Sequence, residues 1–387
     1  MKICYIIDAG LNNGGAPIST YILACEMVKS GHEVHIIMPN DEVTKAKRLN
    51  DGIIYHEIKC FEEYFPFEIF HPLKFCRLIK IINGILKENS VDILHAQMPR
   101  GGKAISLLRK FNKVDEEVKL VYTDREYVID LRKIYKKIYG CTIGSNYDYI
   151  ICLTKTAVNY WKEYPVKNHI TVIPNAGGKV FDLYDGLAIQ EAKKKFPELN
   201  NGKINIIFVG RMTWEKRWSL AKNVIRELVK ERGEKINIIL AIACKSTKMK
   251  EETEQYLSDF KNTKNIYAFI NQDLDTLSSL YYLSDIHIIT SCRESFGRTA
   301  IEAMSRKTVV ISTEAGAIRE TIGRDDDIVN DDVKSIVNKV NQYIDNPQKL
   351  YLEKEFFYKR YNDVYTTKAN AKMHLQLYSE LLINGNE

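Results

Sequence analysis

The sequence predicts an α/β protein with two doubly wound parallel-sheet domains, and three observations support this fold class. The chain has 387 residues, enough for two domains of about 100–200 residues each. Short β-branched runs alternate with longer helical segments, as expected of right-handed βαβ units whose sheet is covered on both faces. The same order of elements begins again after a polar, lysine-rich stretch over residues 177–202.

Each half opens on a predicted strand and continues with strands separated by helices. In the first half the predicted strands are residues 3–7, 33–38, 91–96, 118–123, 149–153 and 170–174, and the first helix spans 17–30. In the second half they are residues 204–211, 236–243, 265–270, 285–290 and 308–313. We therefore predict domains over 1–178 and 179–365, with a C-terminal helix over 366–387 that packs back on the first domain. A ligand is expected in a cleft between facing domains, at the carboxyl ends of the strands.

The composition indicates a globular protein without a dedicated nucleic-acid-binding surface. Hydrophobic residues make up 45% and charged residues 27%, and 56 basic against 50 acidic residues give a net charge of only +6. The eight cysteines form no C-x-x-C pair, which argues against zinc-ribbon and thioredoxin motifs and predicts reduced thiols in a cytosolic protein. No apolar stretch approaches the roughly 20 residues that span a bilayer, and the N-terminal apolar run is too short for a signal peptide.

The segment E-S-F-G-R-T-A-I-E, from Glu294 to Glu302, is the most informative part of the sequence. It follows a predicted strand, so its turn and the start of the next helix present backbone N–H groups that suit a phosphate or a sugar oxygen. Glu294 is placed to accept hydrogen bonds from sugar hydroxyls, and Glu302 from the two hydroxyls of a ribose. A capping carboxylate and a solvated helical glutamate fit the same spacing.

Two further motifs follow the first strand of each half. In the second half, Arg211 ends the strand and Lys216 follows in the next loop, and two such cations suit a diphosphate leaving group without a metal. In the first half, Gly14 and Gly15 permit close backbone approach to a ligand, and Pro17 suits the first position of a helix. A solvated loop and an ordinary tight turn are the alternatives, and the dinucleotide motif G-x-G-x-x-G is absent.

Together these segments resemble the family 4 glycosyltransferases, which have the GT-B architecture of two facing Rossmann-like domains. The resemblance covers nearly the whole chain. Further matching motifs are K-S-G-H-E-V at 29–34, V-D-I-L-H-A at 91–96, V-I-P-N-A at 172–176 and T-E-A-G-A-I-R-E at 313–320. Each motif is weak alone, but their common order is specific.

This resemblance implies a retaining, metal-independent transferase of the hexosyltransferase type that takes a nucleotide-activated sugar, most often a UDP-sugar, and needs no cofactor. By position, Arg211 and Lys216 would hold the diphosphate. Glu302 would hold the ribose, and Glu294 would hold the donor sugar together with neighbouring backbone amides. The implied donor-site residues are Gly14, Gly15, Arg211, Lys216, Glu294, Ser295, Phe296, Gly297, Arg298, Thr299 and Glu302.

The sequence departs from the family after the strand 118–123. Where the family often carries a histidine that contacts the donor sugar or the acceptor, this chain has Y-T-D-R-E-Y, with Arg125 in that place. An ion pair of Arg125 with Glu126 or Asp130 is the alternative. The predicted catalytic residues are Arg125, Arg211, Lys216 and Glu294. His95 is placed on the acceptor side.

Two acidic runs, D-L-D at 273–275 and D-D-D at 325–327, imitate the metal motif of other glycosyltransferases. The first run precedes a helical segment, so we predict helix caps there. The second run follows no apolar strand, so we predict a solvated turn. We expect no metal at either run.

Residues 57–87 interleave aromatic with basic side chains. In the family the first domain takes the acceptor, which is commonly lipid-linked, and such a segment can rest on an anionic membrane surface. A helix that packs on the core and exposes its lysines is the alternative. We expect a cytoplasmic protein, or one that is peripheral at the inner face of the membrane.

The expected function is sugar transfer to a glycan, a lipid-linked glycan or a protein in the synthesis of cell-surface polysaccharide or glycoconjugate. One alternative is a catalytically silent, GT-B-like subunit that binds an acceptor or a partner transferase, and Arg125 favours it. Another is a UDP-sugar 2-epimerase with the same layout. The intact basic pair and glutamate pair favour the transferase, whereas the sugar, the acceptor and the oligomeric state stay open.

Overall fold

The computed structural model describes residues 1–11, 15–42, 44, 48–59, 72–125, 133–163 and 169–383. The chain forms two compact units, one of residues 1–176 with 367–387 and one of residues 177–366. The boundaries predicted from the sequence lie at 178/179 and 365/366. Each unit is built around one parallel sheet.

The described strands of the first unit form a seven-stranded parallel sheet. They are β1 (Lys2–Ile6), β2 (Glu33–Pro39), β3 (Ile53–Ile58), β4 (Ile93–Ala96), β5 (Lys119–Asp124), β6 (Tyr149–Cys152) and β7 (His169–Val172). Their order in the sheet is β3-β2-β1-β4-β5-β6-β7. Alternate residues of β1 enter two different cores, with Cys4 and Ile6 in one and Ile3 and Tyr5 in the other, so both faces of the sheet are covered.

The helices of the first unit connect these strands. They are α1 (Gly15–Lys29), α2 (Pro72–Glu88), α3 (Pro99–Lys110), α4 (Lys133–Gly144) and α5 (Lys155–Trp161). Helix α3 begins beside Asp8, whose carboxylate accepts hydrogen bonds from the backbone N–H groups of Arg100 (2.6 Å) and Gly101 (2.8 Å). A carboxylate of the chain itself therefore satisfies the first N–H groups of this helix.

The second unit repeats the arrangement with a six-stranded parallel sheet among its described residues. Its strands are β8 (Ile204–Arg211), β9 (Ile236–Ala243), β10 (Ile266–Ile270), β11 (Ile286–Ile289), β12 (Val309–Thr313) and β13 (Ile328–Val329). Their order is β10-β9-β8-β11-β12-β13. The predicted α/β class with two Rossmann-like sheets is confirmed.

The helices of the second unit lie before, between and after its strands. They are α6 (Lys179–Asp182), α7 (Gly186–Lys195), α8 (Trp218–Arg232), α9 (Thr247–Ser258), α10 (Leu274–Tyr282), α11 (Arg298–Met304), α12 (Ile318–Ile322), α13 (Val333–Ile344) and α14 (Pro347–Val364). Helix α14 carries Tyr361, which is fully buried.

The last helix, α15 (Thr367–Ile383), belongs to the first unit. Its residues Ala371, Leu377 and Tyr378 join the core that also holds Tyr5 of β1, and the two tyrosine hydroxyls lie 3.3 Å apart. Burying this face of the helix ties the C-terminal segment to the centre of the first sheet.

Strand β3 was not predicted from the sequence. Its residues I-I-Y-H-E-I are buried only at the two ends, Ile53 and Ile58, because β3 is the edge strand of the sheet. It therefore lacks the continuous apolar run that marks a central parallel strand. Of the predicted aromatic and basic segment, residues 60–71 lie outside the described residues. No helix in the described part of the chain is long and apolar enough to cross a bilayer.

Candidate active site

A cavity of about 230 Å³ lies at the carboxyl ends of the strands of the second unit. It is lined by Val209, Gly210, Arg211, Lys216, Ala241, Ile242, Ala243, Phe269, Gln272, Leu277, Thr299 and Glu302. These residues come from β8, β9 and β10 and the segments that follow them, and from α10 and α11. Strand β8 lies between β9 and β11, where the connection changes direction, and doubly wound sheets bind ligands at such a point.

Lys216 forms an ion pair with Glu294. Its Nζ lies 2.5 Å from Glu294 Oε1, and the same oxygen accepts a hydrogen bond from Ser291 Oγ at 2.7 Å. The two charged side chains are only 16% and 10% exposed, so solvent screens the pair less than a surface ion pair. Glu294 Oε2 accepts no hydrogen bond from the described residues, which leaves one carboxylate oxygen for a ligand.

Arg217 holds the Lys216 segment in place and was not singled out from the sequence. Its backbone is left-handed (φ 48°) and joins the short 3₁₀ turn Trp214–Lys216 to α8. Its Nε donates to the carbonyl of Thr290 at 2.7 Å, and Thr290 Oγ1 donates to the carbonyl of Lys216 at 2.9 Å. The basic pair K-R was visible in the sequence, but only the fold shows that Arg217 bonds to the residue after β11.

Arg211 lines the cavity and is the most exposed of its charged residues. Its side chain is 59% exposed, and its Nη2 lies 3.2 Å from Glu215 Oε1. Such exposed ion pairs contribute little to stability. A phosphate can therefore replace Glu215 as the partner of Arg211 at low cost.

Glu302 is a buried carboxylate in the wall of the cavity. It lies on α11, one turn after Thr299, and is only 5% exposed. Burial raises the pKa of Glu302, while the cations of Arg298 and Lys216 act in the opposite direction. Arg298 Nε lies 3.6 Å from Glu302 Oε1, beyond the range of a strong hydrogen bond. Hydroxyl donors from a ligand would supply the stabilisation that this carboxylate lacks.

The loop before α11 presents backbone groups, more than side chains, to a ligand. Gly297 has a φ of 83° directly before the helix, a conformation that favours glycine. Phe296 is 3% exposed, and its ring packs edge to face on Tyr365 with centroids 5.9 Å apart. Ser295 is exposed. The ring of Phe296 thus anchors the loop and does not face a ligand.

Gly316 lets a second loop approach Glu294 closely. The backbone N–H of Ala317 donates to the carbonyl of Glu294 at 3.0 Å, and Gly316 has a φ of 56°. A Cβ atom on Gly316 would lie 2.4 Å from that carbonyl oxygen. The loop T-E-A-G-A therefore fixes the backbone of Glu294, while Lys216 and Ser291 hold its side chain.

We predict that Gly316→Ala displaces Glu294 and lowers turnover about 10-fold or more, because the added Cβ pushes against a backbone atom that cannot move independently. The matched control is Gly202→Ala, which also has a positive φ (80°) but no atom within 4 Å of the added Cβ. Gly202→Ala should lose about 1 kcal/mol of stability in thermal unfolding because of its backbone conformation alone, and Gly316→Ala should lose more because of the added clash. Equal activity of the two variants would contradict the role given to Gly316.

In the first unit, Arg125 lies near the carboxyl end of β5 and lines a small cavity together with Ser19, Asn175 and His374. Its guanidinium donates hydrogen bonds to the side-chain oxygens of Asn175 and Gln97. Asn175 belongs to the predicted motif V-I-P-N-A, so the structure joins two of the sequence motifs at one place. Glu126 and Asp130, the alternative partners, lie outside the described residues.

His95 is completely buried beneath this place. Its Nδ1 is 2.6 Å from the hydroxyl of Tyr378 on α15, and its Nε2 is 2.7 Å from Thr123 Oγ1. Burial, the nearby His374 and the charge of Arg125 hold the pKa of His95 well below its usual range. The neutral imidazole therefore connects α15 to the sheet, and its position gives an acceptor no direct access to it.

The predicted opening turn is described only in part. Gly14 lies outside the described residues, and Gly15 is the exposed first residue of α1. The helix begins two residues earlier than predicted, so Pro17, predicted at its first position, is its third residue and is buried.

The two acidic runs differ from each other. Asp273 accepts a hydrogen bond from the backbone N–H of Thr276 at 2.7 Å, which confirms the predicted cap of α10. The prediction of a solvated turn at 325–327 is wrong for Asp327, which is fully buried. Its charge is compensated by Lys339 Nζ at 3.2 Å and by the hydroxyl of Tyr343, both on α13.

In the described part of the chain, no three His, Cys, Asp or Glu side chains are grouped to hold a metal ion.

Two family models match the chain, one in each structural unit. Residues 13–176 match the model for Glycosyltransferase Family 4, and residues 189–356 match the model for Glycosyl transferases group 1. Among curated relatives, an uncharacterised 41.2 kDa protein in the cps region of Klebsiella pneumoniae is 26% identical over 63% of this chain and 66% of its own length. The GPI3 subunit of phosphatidylinositol N-acetylglucosaminyltransferase from Saccharomyces cerevisiae is 22% identical over 95% of this chain and 80% of its own.

Solved structures are similar to the chain over nearly its whole length. A glycosyltransferase from Rickettsia africae has a TM-score of 0.75 at 20% identity and covers 98% of both chains. HepE from Anabaena, in complex with UDP and glucose, has a TM-score of 0.74 at 12% identity, over 98% of this chain and 99% of its own. Together with the two Rossmann-like sheets, these likenesses show that the chain has the GT-B fold.

Proposed function

Because the chain is a glycosyltransferase of the family 4 type, we propose that it transfers a sugar from a UDP-sugar to an acceptor hydroxyl with retention of the anomeric configuration. The observation that carries the proposal is the cavity where Arg211, Lys216 and Glu302 meet. Two cations suit a diphosphate, and a buried carboxylate suits the paired hydroxyls of a ribose.

In this proposal the diphosphate lies against Arg211 and Lys216. An ammonium group has three donors, so Lys216 can bond a phosphate oxygen without leaving Glu294. Glu294 then accepts a hydrogen bond from a hydroxyl of the transferred sugar. Because Lys216 is held in a largely shielded position, it stabilises the charge that develops on the leaving diphosphate more effectively than mobile water would.

The reaction breaks the bond between the anomeric carbon and the diphosphate oxygen, and the acceptor oxygen forms its new bond on the same face. The electrons of the broken bond leave with the diphosphate, whose oxygen takes the proton of the acceptor hydroxyl. The transition state is oxocarbenium-like, so the chain's residues bind, orient and neutralise, and none of them acts as a nucleophile.

Two kinds of relatives support this choice of donor and acceptor. HepE from Anabaena is described with UDP, with UDP-glucose and with UDP and glucose, which supports a uridine nucleotide. The Klebsiella protein lies in a cps region, and the structural relative WaaG takes part in lipopolysaccharide biosynthesis. We propose that the acceptor is a glycan, a lipid-linked glycan or a protein destined for the cell surface.

The test incubates the purified chain with UDP-, GDP-, ADP- and CDP-sugars and records thermal unfolding and donor consumption. A bound donor at 100 times its Kd is expected to add about 2.7 kcal/mol to the free energy of unfolding. UDP-sugars should stabilise the protein, and one of them should be consumed with release of UDP. A protein that responds to no nucleotide-sugar would refute the proposal.

The same assay separates the remaining candidates. A relative along 95% of the chain is named as a subunit of a transferase, which is compatible with the silent-subunit alternative. That alternative predicts binding of a partner protein without transfer or hydrolysis of any donor. A UDP-sugar 2-epimerase would instead convert the UDP-sugar into its 2-epimer, without an acceptor and without net release of UDP.

We further propose that transfer needs no metal and no cofactor. Lys216 and Arg211 already supply the positive charge that a divalent cation would bring to the diphosphate. Activity should therefore survive excess EDTA. Loss of activity on chelation, restored by Mn²⁺ or Mg²⁺, would contradict this part of the proposal.

We place Arg125 on the acceptor side as a catalytic residue. Its guanidinium is oriented by the two amide side chains of Gln97 and Asn175, so it is positioned to bind an anionic or hydroxyl group of the substrates. It lies in the first unit, whereas the donor cavity is formed entirely by the second.

We predict that Arg125→Ala lowers kcat about 10-fold or more and leaves the Kd for UDP nearly unchanged, because it removes a charge that acts only on the reacting groups. Arg125→His should retain part of the activity. Arg109→Ala is the control, since Arg109 pairs with Asp148 in the same unit, away from this cavity. Full activity of Arg125→Ala would reduce Arg125 to a structural residue.

The surface of α2 suggests where the protein contacts a membrane that carries a lipid-linked acceptor. The helix buries Phe75, Leu78 and Ile82 against the core. Its exposed basic residues are Lys74, Arg77, Lys80 and Lys87. Leu73, at the start of the helix, is 85% exposed. We propose that this face rests on an anionic membrane, with the charges at the headgroups and Leu73 directed towards the acyl boundary.

We predict that the chain sediments with vesicles containing phosphatidylglycerol and not with pure phosphatidylcholine vesicles. The double variant Arg77→Gln and Lys80→Gln should weaken this binding about 10-fold or more, at about 1 kcal/mol for each charge. The control removes two exposed lysines of α9, Lys248 and Lys250. Equal losses in both double variants would show that only net charge matters.

A further inference from the structure

The donor cavity has a charged part and an uncharged part, and the order of the strands separates them. The cavity crosses the ends of β10, β9 and β8 and reaches α11, which follows β11, and these strands are neighbours in that order. Neighbouring strands lie about 4.8 Å apart, so the cavity extends over about 10 Å from β10 to β8. Glu302 is close enough to Lys216 for the charge of Lys216 to act on its carboxylate. The charged residues come only from the β8 side and α11, whereas the residues at β9 and β10 carry no charge.

The uncharged part is a preformed wall for a flat ring. Phe269 packs edge to face against Phe196, with centroids 5.2 Å apart and planes at 83°, so its ring is fixed. Asn271 has a left-handed backbone (φ 53°), and its side chain accepts a hydrogen bond from the N–H of Cys244 at 2.7 Å and donates to the carbonyl of Cys244 at 3.1 Å. Asn271 therefore satisfies both backbone groups of Cys244, and neither group needs a ligand as partner.

Gln272 is the polar side chain of this part of the cavity. Its Nε2 donates to the carbonyl of Ile270 at 2.9 Å, which fixes the orientation of the amide. Its Oε1 accepts no hydrogen bond from any described residue. An oriented acceptor thus lies beside apolar wall residues, and a donor on the edge of a base is the group that it would bind.

We propose that Gln272 selects the base of the donor, with its Oε1 accepting a hydrogen bond from the N3–H of uracil. This inference rests on the proposed function, because it places the diphosphate at Lys216 and the ribose at Glu302. The base then lies over β9 and β10, next to Phe269 and Gln272. Cytosine carries an unprotonated N3 at the corresponding position and meets Oε1 with a lone pair, so its nucleotides bind more weakly.

The test measures the Kd values of UDP, CDP, ADP and GDP by titration calorimetry for the wild type, Gln272→Ala and Gln272→Glu. The wild type should bind UDP about 10-fold more tightly than CDP. Gln272→Ala should weaken UDP binding by about the same factor and leave CDP binding unchanged, so that the preference disappears. Gln272→Glu keeps an acceptor but loses the donor to the carbonyl of Ile270 that fixes its orientation, so it should retain only part of the preference for UDP.

The control is Gln255→Ala, an exposed glutamine on α9 outside the cavity, which should change no Kd. Gln272 is exposed, so thermal unfolding of its variants should match the wild type. An unchanged ratio of UDP to CDP affinity in Gln272→Ala would overturn the assignment and leave the proposed function intact. A wild type that prefers ADP or GDP would overturn the uracil assignment, and one that binds no nucleoside diphosphate would refute the proposed function as well.

Discussion

Lys216→Ala is expected to lower kcat about 10²–10³-fold, the range found when a fixed charge-stabilising donor is removed from an active site. Lys216 is the shielded cation of the donor cavity. Its ammonium group pairs with Glu294, and its backbone carbonyl accepts a hydrogen bond from Thr290 Oγ1. Removing it leaves the leaving diphosphate with only the exposed Arg211. The measurement is the steady-state rate of UDP release with donor and acceptor at saturation.

The matched control for this prediction is Lys222→Ala. Lys222 lies on α8, outside the cavity, and pairs with Asp259 at 2.5 Å. It should lose less than a factor of two in rate. Lys216→Arg tests geometry, because a planar guanidinium cannot reproduce the position of the compact ammonium, and it should recover only part of the activity. A Lys216→Ala rate within about three-fold of the wild type would show that the diphosphate lies elsewhere.

Glu302→Ala is expected to weaken UDP binding about 100-fold or more. Two ribose hydroxyls would lose a charged acceptor, and each such hydrogen bond contributes about 1.5–3 kcal/mol. The carboxylate is buried in the wall of the cavity, so water replaces it poorly. Titration calorimetry with UDP measures the change. Deoxyuridine diphosphate, which lacks the 2′ hydroxyl, should bind the wild type more weakly than UDP does, but should bind Glu302→Ala as tightly as UDP does.

The pH dependence of UDP binding tests whether the ionised form of Glu302 contacts the ribose. Burial raises the pKa of this carboxyl in the free protein, and hydroxyl donors of the ribose favour its ionised form, so binding lowers that pKa. Affinity should therefore be complete above the raised pKa and fall as the pH decreases through it. Glu302→Gln has no titratable proton at this position. Comparing its pH profile with that of the wild type therefore removes the contribution that titration of the UDP phosphate makes to both profiles. Parallel pH profiles of the two proteins would show that Glu302 does not contact the ribose.

The same shift affects the stability of the free protein in the opposite sense. A carboxyl whose pKa is higher in the folded than in the unfolded state favours folding most when it is protonated. Its contribution is therefore present at low pH and is lost as the pH rises through the folded-state pKa. UDP should restore stability in the upper range, because it binds the ionised form.

The architecture was predictable from the sequence because parallel strands buried on both faces leave long apolar runs, such as I-N-I-I-L-A-I-A of β9. The edge strand β3 lacks such a run and was missed. The basic residues Arg211 and Lys216 and the buried Glu302 were also predictable, because each follows directly from a strand end or the helix after it. The structure brings these three residues to one cavity.

Residues that act through long-range contacts could not be predicted in the same way. Arg217 bonds to a carbonyl 73 positions later in the chain, and Asn271 bonds to Cys244, 27 positions earlier. Nothing in their local sequence indicates these partners. Asp327 was predicted in a solvated turn because no apolar strand precedes the acidic run. The cation of Lys339 that compensates its charge comes from a helix that only the fold places beside it.

Hydrogen–deuterium exchange with and without a bound UDP-sugar tests the central claim, that the cavity of the second unit holds the nucleotide part of the donor. The account predicts slower exchange in residues 209–216, 241–244, 269–272 and 298–302, the segments that supply the cavity wall. It predicts that Glu302→Ala abolishes this protection at the same UDP-sugar concentration. Protection confined to residues 1–176, or protection of these segments that Glu302→Ala leaves unchanged, would contradict the account.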